Sequence, residues 1–325
     1  MFRSIWAIIT NTFTETLRQG VYGVVIASAL LLMVLGPSLV MYSLDDDNML
    51  LKDIEISTLL VAGLFLAVFA ASGVVSDEIE NKTVLTVVTK TVSRPAFVIG
   101  KFLGVAAAVV FAQYFLALVL MMVVRHGVLQ RAAEQHDMVV IYLGLGGLFL
   151  VLVLGMLGNY FYHWRFSTTT ILLGTIMATV ILAIMFFLDP QWQFNPARNN
   201  LHPELIGPII LTVIATIILT AIAVAAALRL GLIMTLIICV LIFILGAGIQ
   251  YWLGPIAAQS GIIGFLARAA LAIVPSINVF VVSNAIYEKT SIPLGYIGQT
   301  AVYALLYVCA VLLFAVALFR RREIS

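Results

Sequence analysis

Charge is what this sequence has least of. Only 10% of its 325 residues are Asp, Glu, Lys or Arg, against about 25% in a soluble domain. A chain so poor in charge cannot coat a large water-facing surface, so no separate soluble domain is expected. The formal net charge of +2 argues against nucleic acid as a partner, which needs a basic face. Cysteine is nearly absent too. Cys239 and Cys309 lie in apolar runs without a CxxC partner, so both read as packing residues. The four histidines, His126, His136, His163 and His202, are scattered over different loops. His126 and His136 share one loop with Asp137, but no H-x-x-x-H or H-E-x-x-H spacing occurs, so no metal site is expected. No phosphate-cradling loop occurs either. The only Gly-Lys pair, Gly100–Lys101, is followed by Phe102 and lacks the upstream glycine. The chain is therefore not expected to be an enzyme or to bind ATP itself, and no cofactor is expected within it.

What is present is apolar. Hydrophobic residues make up 63% of the chain and the mean hydropathy is +1.16. This is the composition of an all-α, polytopic membrane protein with a single transmembrane domain, residues 1–325. About 20 apolar residues cross the hydrocarbon, which places eight spans near 21–43, 57–75, 98–124, 138–160, 168–188, 206–228, 230–252 and 295–319. The division of 206–252 rests on a tight turn at Ala227-Leu228-Arg229-Leu230-Gly231; the alternative is six spans plus re-entrant segments. Residues 253–294, broken by Gly254, Pro255, Gly261, Gly264, Pro275 and Pro293, read as an external or re-entrant segment. The alternative there is a further pair of true spans.

Eight spans put both termini on one side. That side carries Arg3, Arg18, Lys82, Lys90, Arg94, Lys101, Arg165, Arg229 and Arg320 to Arg322, which is 11 of the 17 basic residues. It carries only 5 of the 15 acids, Glu15, Asp77, Glu78, Glu80 and Glu323. The positive-inside bias places both termini in the cytoplasm. At residues 1–20, Phe2, Ile5, Trp6, Ile9, Phe13 and Leu17 share a helical face, with Arg3, Asn11, Glu15 and Arg18 off it. This pattern reads as an interfacial helix on membrane lipid, not a cleaved signal peptide. The glycine-rich run 144–158 lies wholly inside a span and reads as close helix packing. Within the span boundaries above, no Asp, Glu, Arg or His lies deep, and Lys101 sits near an end, where it can snorkel. Ion-coupled carriers keep ionisable groups at depth, so the driving force is expected from outside the chain.

The longest polar stretch is Ser76 to Lys101, SDEIENKTVLTVVTKTVSRPAFVIGK. Asp77 and Glu80 have capping-box spacing and place acid in a first helical turn. Val84, Leu85, Val88 and Val92 fall on one face, although the β-branched run weakens the helix. A short helix, a break and a second short helix are expected before Pro95. An apolar stripe with charged flanks, held in water, suits another protein's groove. A membrane-interface loop that only fixes topology explains it as well.

The same stretch resembles the cytoplasmic segment of type-2 ABC exporter permeases, whose pattern runs roughly E-I-E-x-G-T-L, then S-R, then G-K-x-x-G. This chain has Glu78-Ile79-Glu80-Asn81-Lys82-Thr83-Val84, then Val92-Ser93-Arg94, then Gly100-Lys101-Phe102-Leu103-Gly104. Lys82 stands where Gly is usual and Thr91 where Pro is usual. Pro275-Ser276-Ile277-Asn278 before the last span and the basic tail fit more loosely. Six spans are usual in such permeases, so 206–252 would hold an insertion. The resemblance implies a coupling segment at 76–97 that docks on a separate ABC ATP-binding subunit carrying ATP and magnesium. It implies a second permease copy, alike or different, and a bacterial cytoplasmic membrane. Carried over, Asp77, Glu78 and Glu80 would meet the ATPase groove. Thr83, Leu85 and Val88 would supply apolar contact, and Arg94 and Lys101 would anchor the return to the membrane. The alternative is a non-transporting scaffold or sensor that recruits a soluble partner.

Overall fold

The structure is a computed structural model that describes residues 2–40, 47–76, 93–128, 136–282 and 292–320. Among these residues the regular elements are helices, with one isolated bridge between Leu188 and Phe194. In hydrocarbon each backbone N–H and C=O must be satisfied within its own segment, which leaves the helix as the spanning form for such a chain.

The helices are α1 (Phe2–Arg18), α2 (Gly20–Val40), α3 (Asp47–Ala71, continued by a π turn at Ser72–Ser76) and α4 (Arg94–His126). They continue with α5 (Gly146–Tyr162), α6 (Phe166–Phe187), α7 (Ile206–Ala227) and α8 (Leu232–Ala257). The short α9 (Ile262–Ile273) and the last helix, α10 (Leu294–Arg320), complete the set. Eight helical stretches are long and apolar enough to cross a membrane, one for each expected span. The chain is thus an all-α, multi-pass membrane protein. The expected turn inside 206–252 is present: α7 stops at Ala227 and α8 starts at Leu232.

Burial separates a core from a periphery. In α3, α4 and α7 the buried share of the apolar window is 72%, 67% and 67%, against 22–33% in the other spans. Lipid tails are as apolar as leucine, so these three helices do not associate through loss of water contact. They associate through close packing of small residues, here Ala67, Ala71, Ala108, Ala112, Ala215, Ala221 and Ala223, all buried. The glycine-rich run packs in the same way. Gly147 lies under Met177 and Ile181, Gly155 under Thr170, and Gly158 under the Trp164 ring. α5 and α6 are thereby held as a hairpin.

Two ends of the bundle can be told apart from contacts alone. At one end Phe97 stacks on Phe319 with ring centroids 5.7 Å apart. Arg229 Nη2 there donates to the Leu318 carbonyl at 2.6 Å, and Thr168 donates to the Leu17 carbonyl. Both ends of the chain, the α7–α8 turn and the α5–α6 turn therefore share this terminal end. At the opposite end Lys52 pairs with Glu204 at 3.1 Å, and Val128 N–H donates to Asn48.

As far as they are described, residues 253–294 hold the end of α8, one short helix and a return along α10. At 12 residues α9 is too short to span. Arg268 donates back to the Ala257 carbonyl at 2.9 Å. The chain then turns so that the Pro275 carbonyl packs on Gly246, in the middle of α8. It runs outward along α10: Tyr307 donates to the Ile273 carbonyl, Ser276 N–H to the Tyr303 hydroxyl, and Tyr296 to the Val279 carbonyl. Ile277 and Phe280 are buried in this return.

Candidate functional site

Six of the eight expected coupling residues, Asp77, Glu78, Glu80, Thr83, Leu85 and Val88, lie outside the described residues. The frame that holds them is described. The segment leaves from the π turn that ends α3 at Ser76 and returns at Ser93, whose extended backbone (φ −68°, ψ 146°) starts α4. Pro95 stands in the first turn of α4, where a missing N–H costs no intrahelical bond. Both attachment points are at the terminal end of the bundle.

Arg94 and Lys101 do different things. Arg94 lies 5.9 Å from the Phe319 ring centroid and donates to the Phe319 carbonyl at 3.4 Å. It ties the start of α4 to the last turn of α10, where a cation is favoured by the helix dipole. Lys101 does not snorkel to water as the sequence suggests. It is 2% exposed, with its Nζ 3.7 Å from Glu15 on α1 and 5.8 Å from the Phe97 ring centroid.

The Gly100-Lys101-Phe102-Leu103-Gly104 motif is therefore the seat of α1. A Cβ on Gly100 would lie 2.8 Å from the Ile8 side chain, and one on Gly104 would lie 2.9 Å from the Ile9 carbonyl oxygen. The contacts advance together, Ile8 on Gly100 and Thr12 on Gly104, so α1 and α4 run in the same direction here. Thr12 and Thr16 are fully buried, whereas Trp6 is 66% exposed. The face of α1 turned to the protein thus mixes hydroxyls with part of the apolar stripe, since Leu17 is buried and Phe13 meets the Phe111 ring.

The interior of the bundle is polar at its centre. Gln113 on α4 is fully buried. Its Nε2 donates to the Leu59 carbonyl at 3.0 Å and to Thr216 Oγ1 at 3.1 Å. Thr212, Thr216 and Thr220 follow at one-turn spacing on α7, each donating to the carbonyl one turn back. Gly63 leaves room for the Gln113 amide. This lock fills the space between the three core helices.

Two ionisable groups just outside the expected apolar windows are buried in the protein. The spans are longer than the apolar windows, so Glu55 and Arg125 fall within helices that the sequence places beside them. Glu55 is fully buried against Gly36 and Leu51, and neither carboxylate oxygen has a hydrogen-bond partner among the described residues. Arg125 is 4% exposed. Its Nε is 2.9 Å from Asp137, and its other nitrogens donate to the Met185 and Leu188 carbonyls. Asp137 also accepts from Val139 and Val140 N–H. The pair joins α4, the start of the α5 span and the end of α6.

His126 and His136 stack with centroids 5.6 Å apart. Among the described residues no group of three His, Cys, Asp or Glu side chains could hold a metal ion. Both cysteines are free thiols, with Cys239 buried and Cys309 exposed. Compared with known proteins, the chain matches no family model, and no curated protein is similar to it.

Proposed function

We propose that this chain is the membrane subunit of an ATP-driven exporter, working with a separate ATP-binding subunit in a bacterial cytoplasmic membrane. The observation that carries this reading is the register of Glu78-Ile79-Glu80, Ser93-Arg94 and Gly100-Lys101-Phe102-Leu103-Gly104, which resembles the coupling segment of type-2 permeases. The frame supports it. The segment is tethered by α3 and α4, two of the three helices that the Gln113 lock joins, so a push on it would reach the core of the bundle. α1, seated on Gly100 and Gly104, braces the return arm, and its exposed Trp6 suits an interface with lipid. Asp77, Glu78 and Glu80 would face the ATPase, Thr83, Leu85 and Val88 would fill its groove, and Arg94 and Lys101 would hold the arm. Because the centre of one chain is filled by Gln113 and its partners, the transport path would run between two copies.

The filled core also favours a second reading, a rigid scaffold that recruits a soluble partner without moving anything. Co-purification with the product of the neighbouring reading frame, which for an exporter should be a P-loop ATPase, separates them. The exporter reading expects a stable complex whose ATP hydrolysis responds to lipid-soluble substrates. A partner without ATPase activity would support the scaffold.

A further inference from the structure

Glu55 is closed off from water. It is fully buried and lies on α3 three residues past Lys52, hence about 4.5 Å further into the bundle than the Lys52–Glu204 pair. Between it and the opposite end sits a buried cluster of Val40, Leu51, Val123 and Val128. Leu59, one turn further on, is fully buried as well. The carboxyl lies across the seam against α2, where a Cβ on Gly36 would collide with Glu55 Oε1.

Among the described residues no charge balances it, and neither oxygen has a hydrogen-bond partner. The ionisable groups on the helices packed against α3 are engaged or placed elsewhere. α2 carries only Tyr22, whose hydroxyl donates to the Ala108 carbonyl. On α4, Arg125 is held by Asp137 and His126 stacks on His136, while Arg94 and Lys101 belong to the terminal end. Tyr114 of α4 meets Thr179. α7 has no ionisable side chain, and α8 has only Cys239 and Tyr251. On α3 itself Lys52 Nζ is 3.1 Å from Glu204, Asp53 lies on the face toward α8, and Asp47 stands two turns back at the helix start.

The facing helix is short of a donor. Pro37 stands inside α2 and has no N–H, so the Met33 carbonyl one turn back lacks its intrahelical partner. Met33, Gly36 and Val40 share the buried face of α2, and Gly36, which meets Glu55, directly precedes Pro37. A carboxylate only accepts hydrogen bonds, whereas a carboxylic acid carries one O–H to give. An unpaired buried charge also costs far more than a neutral group that finds a partner.

We propose that Glu55 is a proton-binding site. It stands in the α2–α3 seam as a neutral carboxylic acid whose O–H donates to the Met33 carbonyl, and the bound proton fastens the outer half of α2 to the core. The proposal does not depend on the exporter reading.

The test uses the full chain in phosphatidylcholine nanodiscs at neutral pH, with infrared spectroscopy as the readout. Cell-free synthesis supplies glutamate with heavy carbon at the side-chain carboxyl, which sets glutamates apart from aspartates. A carboxylic-acid C=O stretch that carries the isotope shift and falls in heavy water is expected. It should be lost in Glu55→Gln, which keeps a neutral donor in the seam. Glutamate carboxylates alone in the unsubstituted chain would overturn the proposal without any variant, since Glu55 would then be ionised beside Lys52 or a base elsewhere in the chain. An acid band that survives Glu55→Gln would also overturn it, because another glutamate would hold the proton. Pro37→Ala returns an N–H to the Met33 carbonyl, so the acid band should move to higher frequency as its O–H loses the acceptor. An unmoved band would overturn the tie to α2.

Discussion

Single residues divide into those that hold helices together and those that present chemistry. Arg125 belongs to the first kind. Its side chain is out of water against Asp137 and two carbonyls, and removing one partner of such a pair leaves the other charge buried, at a cost of about 3–5 kcal/mol. Arg125→Met should therefore lower the thermal unfolding midpoint strongly in detergent. Lys52→Met, which breaks a pair whose Glu204 side chain is 37% exposed, should cost about 1 kcal/mol or less. Equal effects would mean that burial is not what fixes Arg125. Gly104 makes a similar case by size. Gly104→Leu forces atoms into Thr12 and the Ile9 carbonyl, which should cost about 1–3 kcal/mol and expose α1 to protease. Undisturbed protection of α1 would contradict the packing described. None of these roles was legible in hydropathy. Arg125 and Glu55 stand at the edges of apolar windows, where sequence cannot tell an interfacial charge from a buried one. Their burial comes from neighbouring helices remote in sequence.

Whole helices were far more legible, because a span must be long and apolar whatever its neighbours are. All eight appear, including the division at Arg229 that rested on five residues. Their ends were less legible. α3 begins ten residues before its apolar run, at Asp47 instead of residue 57, because polar residues continue a helix wherever protein covers them. α1 shows a further limit. The sequence marks its greasiest face, yet its closest protein contacts run through Ile8 and Thr12, beside that face, to two glycines, since close approach favours small partners. The stretch after α8 is open to labelling. In a background free of Cys239 and Cys309, Gln259→Cys should be labelled by an impermeant thiol reagent from the side opposite the termini. Val274→Cys should be labelled from neither side. Labelling of Val274→Cys from the terminal side would make residues 258–292 a pair of true spans.

At the scale of the molecule the sidedness is the frame for function. Gly231→Cys should be labelled only from the side that holds the termini, because Arg229 is bonded to the last turn of α10. On the proposed function, the segment between α3 and α4 is where an ATPase would take hold, on that same side. Its charged and apolar residues are readable in sequence as a motif, and the two residues that bound it, Ser76 and Ser93, lie at the terminal end. Exposed substitutions there should cost about 0.5 kcal/mol of stability or less, whereas loss of a central interface contact costs about 2 kcal/mol or more, roughly a thirtyfold loss of affinity. The most direct measurement is retention of the ATPase, and of ATP hydrolysis, by purified Glu80→Lys and Leu85→Asp proteins beside Asp46→Lys, which the sequence assigns to the other membrane side. The first two should insert and fold but lose the ATPase, while Asp46→Lys keeps it. Full retention by Glu80→Lys and Leu85→Asp would contradict this and reduce the segment to a topology loop.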